Sequence, residues 1–256
     1  MNKKIAIYTA LFGNYDILED PTFIDDECDY ICFTDQNIKS RVWKIIHTNP
    51  ALNPSLENRK YKILAHKYLY DYEYSLYIDA NLLIKFSPSK FIKNYLDNHL
   101  LCIPKHIIHN CTYKEAFRGL TSNRIDGFKV FKQMLTYNYL GFPMNYGLTE
   151  NSIILRRHMD PNVMNFMEKW WSELNKYALR DQVSLHFLIW KENFPINMIN
   201  ENCRPPYTYF GFKRHTKNKK NYLYFKLYRA IICKLPLMSI IYLSHFIRFL
   251  KGVKVS

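Results

Sequence analysis

The sequence predicts an α/β fold in which a largely parallel sheet is flanked by helices. Short runs rich in β-branched, aromatic and aliphatic residues occupy positions 4–12, 29–35 and 74–84. Runs of this kind are typical of strands that are buried on both faces of a sheet. Stretches with the apolar spacing of helices occupy positions 53–72 and 128–139. Because such folds bind ligands at the carboxyl ends of their strands, we expect the functional residues there.

Size and composition indicate one large domain with a short appendage. The chain has 256 residues, of which 48% are hydrophobic, and this is enough for a sizeable core. Its six cysteines form neither a CxxC pair nor a zinc spacing, and no long apolar leader precedes the first strand. We therefore expect a cytoplasmic protein with reduced thiols.

Charge is distributed unevenly along the chain. Positions 202–256 hold twelve Lys and Arg residues and no acid, whereas positions 1–201 hold 24 basic and 22 acidic residues. The longest uncharged run of this tail, residues 235–247, is shorter than the roughly 20 residues that a membrane-spanning helix needs.

This pattern predicts a domain at 1–215 and a basic amphipathic segment at 216–256. We expect the segment to lie in the interface of an anionic membrane. A terminal helix packed on the core would have a similar pattern, so that alternative stays open. No nucleic-acid-binding motif accompanies the charge, so we expect no nucleic-acid partner.

An acid and an amide lie at the end of one strand-like run. Asp79 and Asn81 are two positions apart, so an extended backbone places both side chains on one side. Their oxygens suit Mg²⁺ or Mn²⁺ carrying a diphosphate, which makes both residues, with Ala80 between them, candidates for binding. A strand followed by an Asx turn would explain the same residues without a ligand.

Two further groups of residues are placed to join this site. The first strand runs into a turn-forming cluster and the second ends in an acid, so both reach the same edge of a parallel sheet. On the predicted helix at 53–72, with Ser55 as its N-cap, basic residues recur at helical spacing and could face a diphosphate. A solvated helix face is the alternative. The candidates are Thr9, Ala10, Phe12, Asn14, Tyr15, Asp35, Arg59, Lys62 and His66.

The second half of the chain carries candidates for contact with a second substrate and for proton transfer. Residues 106–116 mix His, Cys, Tyr and Glu in a spacing that fits no standard zinc site, and we expect a polar loop there. If a hydroxyl of the second substrate attacks with inversion of configuration, an acid must take its proton, and Glu150 and Asp181 are candidates for this role. A helix cap is the alternative for Asp181. The candidates for acceptor binding are His109, Tyr113, Glu115 and Arg156.

Eight short motifs follow one another along the chain. They are TALFGNYD at 9–16, DYICFTD at 29–35, NRKYKILAH at 58–66, YIDAN at 77–81, HNCTYKEA at 109–116, GLTE at 147–150, RRH at 156–158 and RDQVS at 180–184. In their order and spacing, these motifs resemble the TOD1/MUCI70 glycosyltransferase-like domain over roughly residues 5–190.

This resemblance implies a GT-A-like fold with a Rossmann-type mixed sheet, and transfer of a sugar from a nucleotide donor. Asp79 and Asn81 then correspond to the family's form of the DxD motif, with Asn in place of the second Asp. A neutral amide is a weaker ligand, so dependence on Mn²⁺ or Mg²⁺ stays open. The Asp181–Gln182 pair is similar to the Asp-Gln of retaining family-8-type transferases, and His215 stands where many GT-A enzymes supply a late metal-binding histidine.

We therefore expect a bacterial-type glycosyltransferase that is peripheral on the inner face of the cytoplasmic membrane. Its donor would be a nucleotide-sugar, first of all a UDP-sugar, and its acceptor a polysaccharide or a lipid-linked glycan of the cell surface. Whether the reaction retains or inverts configuration stays open. The alternative function is a non-catalytic binding protein with a GT-A-like fold, or a basic adaptor for membranes or nucleic acid.

Overall fold

The computed structural model describes residues 4–121, 126–201, 209–213, 227 and 230–250. The chain divides into two compact units that are interleaved in sequence. The first comprises Met1–Ile107, Glu150–Trp171 and Pro195–Asn218, and the second comprises Ile108–Thr149, Ser172–Phe194 and Lys219–Ser256. The predicted boundary at residue 215 lies outside the described residues.

A seven-stranded sheet forms the centre of the first unit. Its strands are β1 (Ile5–Leu11), β2 (Cys28–Thr34), β3 (Lys44–His47), β4 (Tyr74–Ile78), β6 (Leu101–Pro104), β7 (Ile153–Arg157) and β8 (Asn197–Ile199), in the order β3-β2-β1-β4-β7-β6-β8. The first four strands are parallel, β7 is antiparallel to both of its neighbours, and β8 is parallel to β6. Two short strands, β5 (Leu82–Ile84) and β9 (Phe210–Phe212), form a separate antiparallel pair.

Seven α-helices accompany these strands in the described part of the chain. They are α1 (Pro54–Ile63), α2 (Pro88–Leu96), α3 (Thr112–Thr121), α4 (Gly127–Tyr139), α5 (Pro161–Lys176), α6 (Asp181–Glu192) and α7 (Leu235–Leu250). The predicted α/β fold, a mixed sheet flanked by helices and followed by a C-terminal helix, is confirmed.

Alternating side chains of β4 explain why helices cover both faces of the sheet. Leu76 and Ile78 join the apolar cluster that contains Phe91 of α2. Tyr77 points to the other face, where its ring lies 5.3 Å from that of Tyr8. Both faces of the central strands are therefore buried, as the uncharged runs predict.

The first helix is shorter than the sequence predicts. Its N-cap is Asn53 and not Ser55, because the Asn53 side chain accepts the N–H of Leu56 at 3.0 Å and Pro54 occupies the first helical position. The helix ends at Ile63, and a 3₁₀ turn, Ala65–Lys67, follows it. Residues beyond Ile63 therefore do not continue its surface row.

Two other stretches differ from their predictions. The run at 74–84 is divided by a turn, in which Leu82 N–H donates to the carbonyl of Asp79 at 2.9 Å. The expected polar loop at 106–116 becomes helical at Thr112, where α3 begins. Its polar side chains are compatible with a helix because several of them bond inside the second unit.

The second unit is a helical body built around aromatic side chains. The ring of Tyr137 on α4 stacks on that of Phe187 on α6, with centroids 3.7 Å apart. The Tyr137 hydroxyl donates to Glu173 at 2.9 Å, and Gln133 donates to that hydroxyl at 2.8 Å. These three polar side chains are thus paired with one another, whereas the Oε1 of Gln133 has no hydrogen-bond partner. Among the described helices of the chain, none is long and apolar enough to cross a membrane.

Candidate active site

Strand directions bring several predicted site residues to one edge of the sheet in the first unit. β1, β2 and β4 are parallel, so Asp35 and Asp79 follow carboxyl ends that lie on the same edge. β7 is antiparallel to β4, and therefore its amino end, preceded by Glu150, lies there as well. β6 runs against β7 and ends before His106 on this edge. We call this edge, with these four residues, the carboxyl edge.

The turn after β1 has a backbone that requires glycine. Gly13 has a φ of +70° and Asn14 a φ of +51°, in the left-handed region. A Cβ on Gly13 would lie 2.7 Å from the Cβ of Pro54, at the start of α1. The Gly13 N–H donates to the two carboxylate oxygens of Asp35 at 3.1 and 3.2 Å. Asp35 therefore holds this turn against the end of β2.

Asp79 lies beside a buried cation at the end of β4. Its Oδ1 accepts a 2.8 Å hydrogen bond from the Tyr77 hydroxyl and lies 3.8 Å from the Nζ of Lys62. The Lys62 ammonium also lies 4.9 Å from the centre of the Tyr77 ring. The side chain of Lys62 is 6% exposed and that of Asp79 is 38% exposed, so only the carboxylate reaches solvent freely. The fixed positive charge of Lys62 thus lies directly behind an accessible carboxylate, where it can act on negative charge that develops at this edge.

The described residues provide only part of a site for a divalent cation. Asn81 is 4% exposed, and its Nδ2 donates to the carbonyl of Lys213 at 2.9 Å, which turns the amide oxygen away from that carbonyl. Across the described ranges, no three or more His, Cys, Asp and Glu side chains form a group suited to a metal. The predicted ligand His215 lies outside these ranges. Proteins usually bind Mg²⁺ through one or two carboxylates together with the phosphate oxygens of a substrate, so these residues fit a divalent cation only in combination with a bound diphosphate.

The predicted row of three cations is divided by the end of α1. Lys62 lies within the helix, whereas His66 lies in the following 3₁₀ turn. The Nε2 of His66 lies 3.1 Å from the Oε1 of Glu168 on α5. Burial lowers the pKa of His66, and the Glu168 carboxylate opposes this effect. His66 is thus paired with an acid on another helix.

Two predicted donor-binding residues hold buried polar atoms without hydrogen-bond partners. These atoms are the Oγ1 of Thr9, on the fully buried β1, and the Nε of Arg59. The Nη1 of Arg59 donates to the carbonyl of Ser55 at 2.7 Å, so the guanidinium is partly engaged within α1. Native structures pair most buried polar atoms, and a ligand or water at these atoms would satisfy them.

The remaining predicted donor-binding residues divide into buried and exposed groups. Ala10, Phe12 and Ala80 are all less than a tenth exposed and shape the ends of β1 and β4. Asn14 and Tyr15 are exposed on the turn that Gly13 forms. Only the exposed pair can reach a ligand with its side chains in this arrangement.

Arg156, predicted to contact an acceptor, is buried in the first unit. Its Nη2 donates to the carbonyl of Lys62 at 2.7 Å and to the Tyr8 hydroxyl, and its Nη1 donates to the carbonyl of Ile63 at 3.2 Å. Burial lowers the pKa of the Arg156 guanidinium and raises the pKa of Tyr8 to about 12. These contacts fasten the end of α1 to β7, so Arg156 positions the backbone that carries Lys62.

Glu150 lies next to a histidine that the sequence analysis did not select. The Oε1 of Glu150 lies 3.9 Å from the Nε2 of His106, and both side chains are buried. The N–H of Glu150 donates to the carbonyl of Pro104, the last residue of β6, at 2.8 Å. Glu150 is therefore fixed between β6 and β7 at the carboxyl edge.

In the second unit, three of the motifs that carry the resemblance meet in one polar network. Arg180 forms a 2.6 Å ion pair with Glu115 of α3 and donates to the side-chain oxygen of Gln182. The Gln182 side chain donates to the carbonyl of Thr149 at 3.2 Å, and the Thr149 hydroxyl lies 3.2 Å from the Nε2 of His186. Burial lowers the pKa of His186 to about 4, so this histidine is neutral near pH 7.

The other predicted residues of the second unit have different environments. Asp181 is 5% exposed and occupies the first position of α6, and its Oδ1 accepts the N–H of Gln182 at 3.1 Å. Tyr113 is fully buried, and its hydroxyl donates to the carbonyl of Phe142 at 2.8 Å, so it is a core residue here. His109 is half-buried before α3.

Sequence reasoning missed Tyr77, His106 and Arg180. For Tyr77 a signal exists, since residues two apart in a strand share a face and Tyr77 precedes Asp79 by two positions. Arg180 precedes a predicted site residue directly, but its contact with Glu115 depends on how α3 and α6 pack. His106 has no local signal, because its partner is 44 positions away in the sequence.

A cavity of about 310 Å³ lies away from the carboxyl edge. It opens near the amino ends of β2 and β3, and none of the predicted site residues lines it. Its lining residues are Ile24, Cys28, Asp29, Tyr30, Arg41, Val42, Lys44 and Tyr72. We place the candidate site at the carboxyl edge because the chemistry, and not the volume, points there.

Two solved structures resemble this chain, with low scores. Mouse xyloside xylosyltransferase 1 in its apo form has a TM-score of 0.44 and 11% identity, and the match covers 76% of this chain and 84% of that one. The apo WbbM bifunctional glycosyltransferase has a TM-score of 0.42 and 11% identity, with 76% and 38% covered.

Sequence comparison identifies a family and a curated relative. "Probable hexosyltransferase MUCI70" from Arabidopsis thaliana is 23% identical over 212 residues, which are 71% of this chain and 36% of the relative. The chain therefore spans about a third of that relative's length. The family model described as "TOD1/MUCI70, glycosyltransferase-like domain" matches residues 1–207, which confirms the resemblance found in the motifs. The chain belongs to the TOD1/MUCI70 glycosyltransferase-like domain family.

Proposed function

We propose that this chain is a glycosyltransferase that moves a hexose from a nucleotide-sugar to a glycan. Family membership supports sugar transfer, and the relative named as a probable hexosyltransferase supports a hexose as the transferred group. The observation that carries the proposal is the buried Lys62 ammonium, 3.8 Å from Asp79 at the carboxyl edge. The leaving nucleoside diphosphate gains charge as its bond to the sugar breaks, and a preorganised cation stabilises that charge.

Neighbouring groups keep this cation and its carboxylate in place. Tyr77 donates to Asp79, and Arg156 bonds the backbone carbonyl of Lys62 from the protein interior. The ammonium therefore needs little reorganisation when a diphosphate arrives, and this is the condition for electrostatic stabilisation to be effective. Mn²⁺ or Mg²⁺ on Asp79 and Asn81, if bound, would supply further positive charge to the diphosphate.

We assign the acceptor base to Glu150. It lies at the same edge as Asp79 and its carboxylate is held between β6 and β7. In an inverting reaction the acceptor hydroxyl attacks the anomeric carbon, its proton passes to Glu150, and the bond to the diphosphate breaks. A retaining reaction would not need this base, and the Asp181–Gln182 pair would then be the catalytic candidate.

The composition of the tail supports a proposal about where the reaction takes place. We propose a UDP-sugar as donor and a polysaccharide or lipid-linked glycan as acceptor, at the inner face of the cytoplasmic membrane. The support for this location is the acid-free, cationic stretch at 202–256. Anionic lipids attract such a segment, which would bring the enzyme to acceptors that are anchored in the same surface.

Thermal unfolding with nucleotides and nucleotide-sugars, with and without Mn²⁺, tests the proposal. A ligand at 100 times its Kd adds about 2.7 kcal/mol to the free energy of unfolding, which is easily detected. If a nucleotide raises the unfolding temperature without metal, and Lys62→Met abolishes this rise, the proposed diphosphate site is supported. A shift that requires Mn²⁺ would transfer this role to Asp79 and Asn81, and no shift with any nucleotide would overturn the donor site.

Turnover of the ligand so identified separates an enzyme from a binding protein. Glu150→Gln should bind the donor as the original protein does but lose transfer, because the amide cannot accept the proton. If Glu150→Gln transfers sugar normally and Asp181→Asn does not, the base assignment is wrong. Binding without any turnover by the original protein would favour the non-catalytic alternative.

A further inference from the structure

We propose that one face of the second unit lies on the surface of an anionic lipid bilayer. Five apolar side chains recur along one side of α7 and are 40 to 66% exposed, namely Leu235, Tyr242, Leu243, Phe246 and Leu250. Their spacing places them within a stripe of about 100° on the helix. We call these five residues, together with Ile240 and Ile247 on the flank of the stripe, the apolar face.

The opposite side of α7 is packed into the second unit, which determines the direction of the apolar face. Leu237 and Ile241 are fully buried, and the ring of His245 lies 5.7 Å from that of Tyr113. Arg248 donates to the carbonyl of Asn138 and so joins the end of α7 to the end of α4. One side of this helix therefore packs on the core, and the other side is available for binding.

The exposed area is larger than a monomeric protein usually leaves in water. Ile240 is 44% exposed and Ile247 is 41% exposed, and they add to the five side chains of the stripe. At on the order of 100 Å² for each half-exposed side chain, the apolar face presents roughly 700 Å². Exposed patches of this size mark a surface that another molecule covers.

The polar group within the stripe is already satisfied by the helix. Ser239 lies between the apolar positions of α7, and its hydroxyl donates to the carbonyl of Leu235 at 3.0 Å. A hydroxyl bonded in this way can enter the acyl boundary of a bilayer without losing a hydrogen bond to water. The whole stripe is therefore compatible with an apolar environment.

The positive charge of this segment favours binding to a lipid surface over binding to a second copy of the chain. Residues 226–254 contain six Lys and Arg residues and no acid, and two of these, Lys234 and Arg248, lie near the two ends of α7. A second copy would bring the same positive charge to the interface and be repelled, whereas anionic headgroups would be attracted. A helix with one exposed apolar side, within a segment that is cationic and free of acid, is typical of binding in the plane of a membrane interface.

Co-sedimentation with vesicles tests the apolar face in the full chain. The probes are vesicles of phosphatidylcholine alone and of phosphatidylcholine mixed with an equal part of phosphatidylglycerol. Leu243→Gln combined with Phe246→Gln should weaken binding to the mixed vesicles by about tenfold or more, because two apolar side chains no longer leave water. Glutamine is a good helix former, so α7 should be retained, which circular dichroism checks.

A matched double variant controls for the loss of exposed apolar surface in general. Ile17 and Tyr70 are 63 and 66% exposed in the first unit, and their replacement by Gln should leave vesicle binding unchanged. Deletion of the tail is a poorer test, since it would uncover the core around Leu237 and Ile241.

The possible outcomes are distinct. Failure of the original protein to bind mixed vesicles, equal binding to neutral vesicles, or unchanged binding of the α7 double variant would each overturn the proposal. A concentration-dependent dimer in light scattering that the α7 variant abolishes would assign the face to a second copy instead. The apolar face does not require sugar transfer, so a nucleotide-induced thermal shift in the α7 variant separates its failure from failure of the proposed function.

Discussion

Replacement of Lys62 by methionine tests the proposed diphosphate site with little cost to the fold. At an effective dielectric constant of 20, two unit charges about 4 Å apart attract by roughly 4 kcal/mol, but desolvation of the nearly buried ammonium offsets most of this. Methionine fills a similar volume, and Asp79, whose side chain is 38% exposed, can be hydrated. We therefore expect the free energy of unfolding to change by about 1 kcal/mol or less.

The expected effect on turnover is much larger. A fixed charge aimed at the leaving group is present in the transition state, and loss of one such group typically lowers kcat by about 100- to 1,000-fold. Sugar transfer, measured with the donor that thermal unfolding identifies, should fall by this factor in Lys62→Met. Lys62→Met should thus change turnover strongly and the free energy of unfolding only slightly. A cation with a purely structural role would not give this combination.

Lys67 supplies the matched control. It is half-exposed and forms a 2.7 Å ion pair with Glu168, so Lys67→Met removes a lysine and an ion pair from the same unit. Such a surface pair contributes about 1 kcal/mol at most, and turnover should be unchanged. If Lys62→Met retains turnover within about threefold of the original protein, Lys62 does not stabilise the leaving group and the site assignment is wrong.

Three further predictions concern neighbouring contacts. Tyr77→Phe removes the hydroxyl that donates to Asp79 and should lower kcat about tenfold without unfolding the protein; an unchanged kcat would contradict the positioning role. Arg180→Met leaves the nearly buried Glu115 carboxylate unpaired and should lower the free energy of unfolding in urea by about 3 kcal/mol, whereas a change below about 0.5 kcal/mol would show that the pair is solvated. Burial lowers the pKa of His158 to about 3, so below pH 6.5 the unfolded chain binds a proton that the folded chain does not. The free energy of unfolding should therefore decrease as the pH is lowered, by up to about 1.4 kcal/mol per pH unit. His158→Asn should flatten this slope in urea unfolding between about pH 6.5 and 4, and an unchanged slope would refute the assignment.

Much of the first unit could be predicted because its signals are local. The apolar runs at 4–12 and 29–35 differ by only a residue or two from β1 and β2, since strands buried on both faces need uninterrupted apolar sequence. Candidate residues at the carboxyl edge followed from the same reasoning, because parallel strands place their carboxyl ends together.

The parts that could not be predicted depend on distant partners. β5 and β9 have three residues each and pair across more than 120 positions, so neither has a periodic pattern of its own. The start of α3 was expected to be a loop because residues 106–116 mix His, Cys, Tyr and Glu, but Arg180, which pairs with Glu115, lies 65 positions away. The end of α1 at Ile63 separates His66 from Lys62, although their spacing suits one helix face.

The hydrogen bonds of Asn81 explain why an amide and not a carboxylate occupies this position, and they suggest a test of metal binding. The Nδ2 of Asn81 donates to the backbone carbonyl of Lys213, while the backbone carbonyl of Asn81 accepts the N–H of Lys213 at 3.0 Å. These two bonds extend the pairing of β5 with β9, in which Leu82 faces Phe212. An ionised carboxylate cannot donate a hydrogen bond, so aspartate at this position would face a carbonyl oxygen without a proton between them.

Asn81→Asp should therefore destabilise the protein although it restores a DxD sequence. Loss of this buried hydrogen bond, with two acceptors left facing each other, should lower the free energy of unfolding by about 2 to 3 kcal/mol at pH 7. Burial and the facing carbonyl should raise the pKa of the new carboxyl in the folded state, so the deficit should shrink as pH falls toward 5, where the protonated acid can donate. Urea unfolding of the variant and the original protein at both pH values measures this difference. If the variant is less stable than the original protein by the same amount at both pH values, the role of the Lys213 carbonyl is refuted. Recovery of the lost stability on addition of Mn²⁺ would instead show that Asp79 and this position together form a metal site, in which the natural asparagine has exchanged a charged ligand for a hydrogen bond.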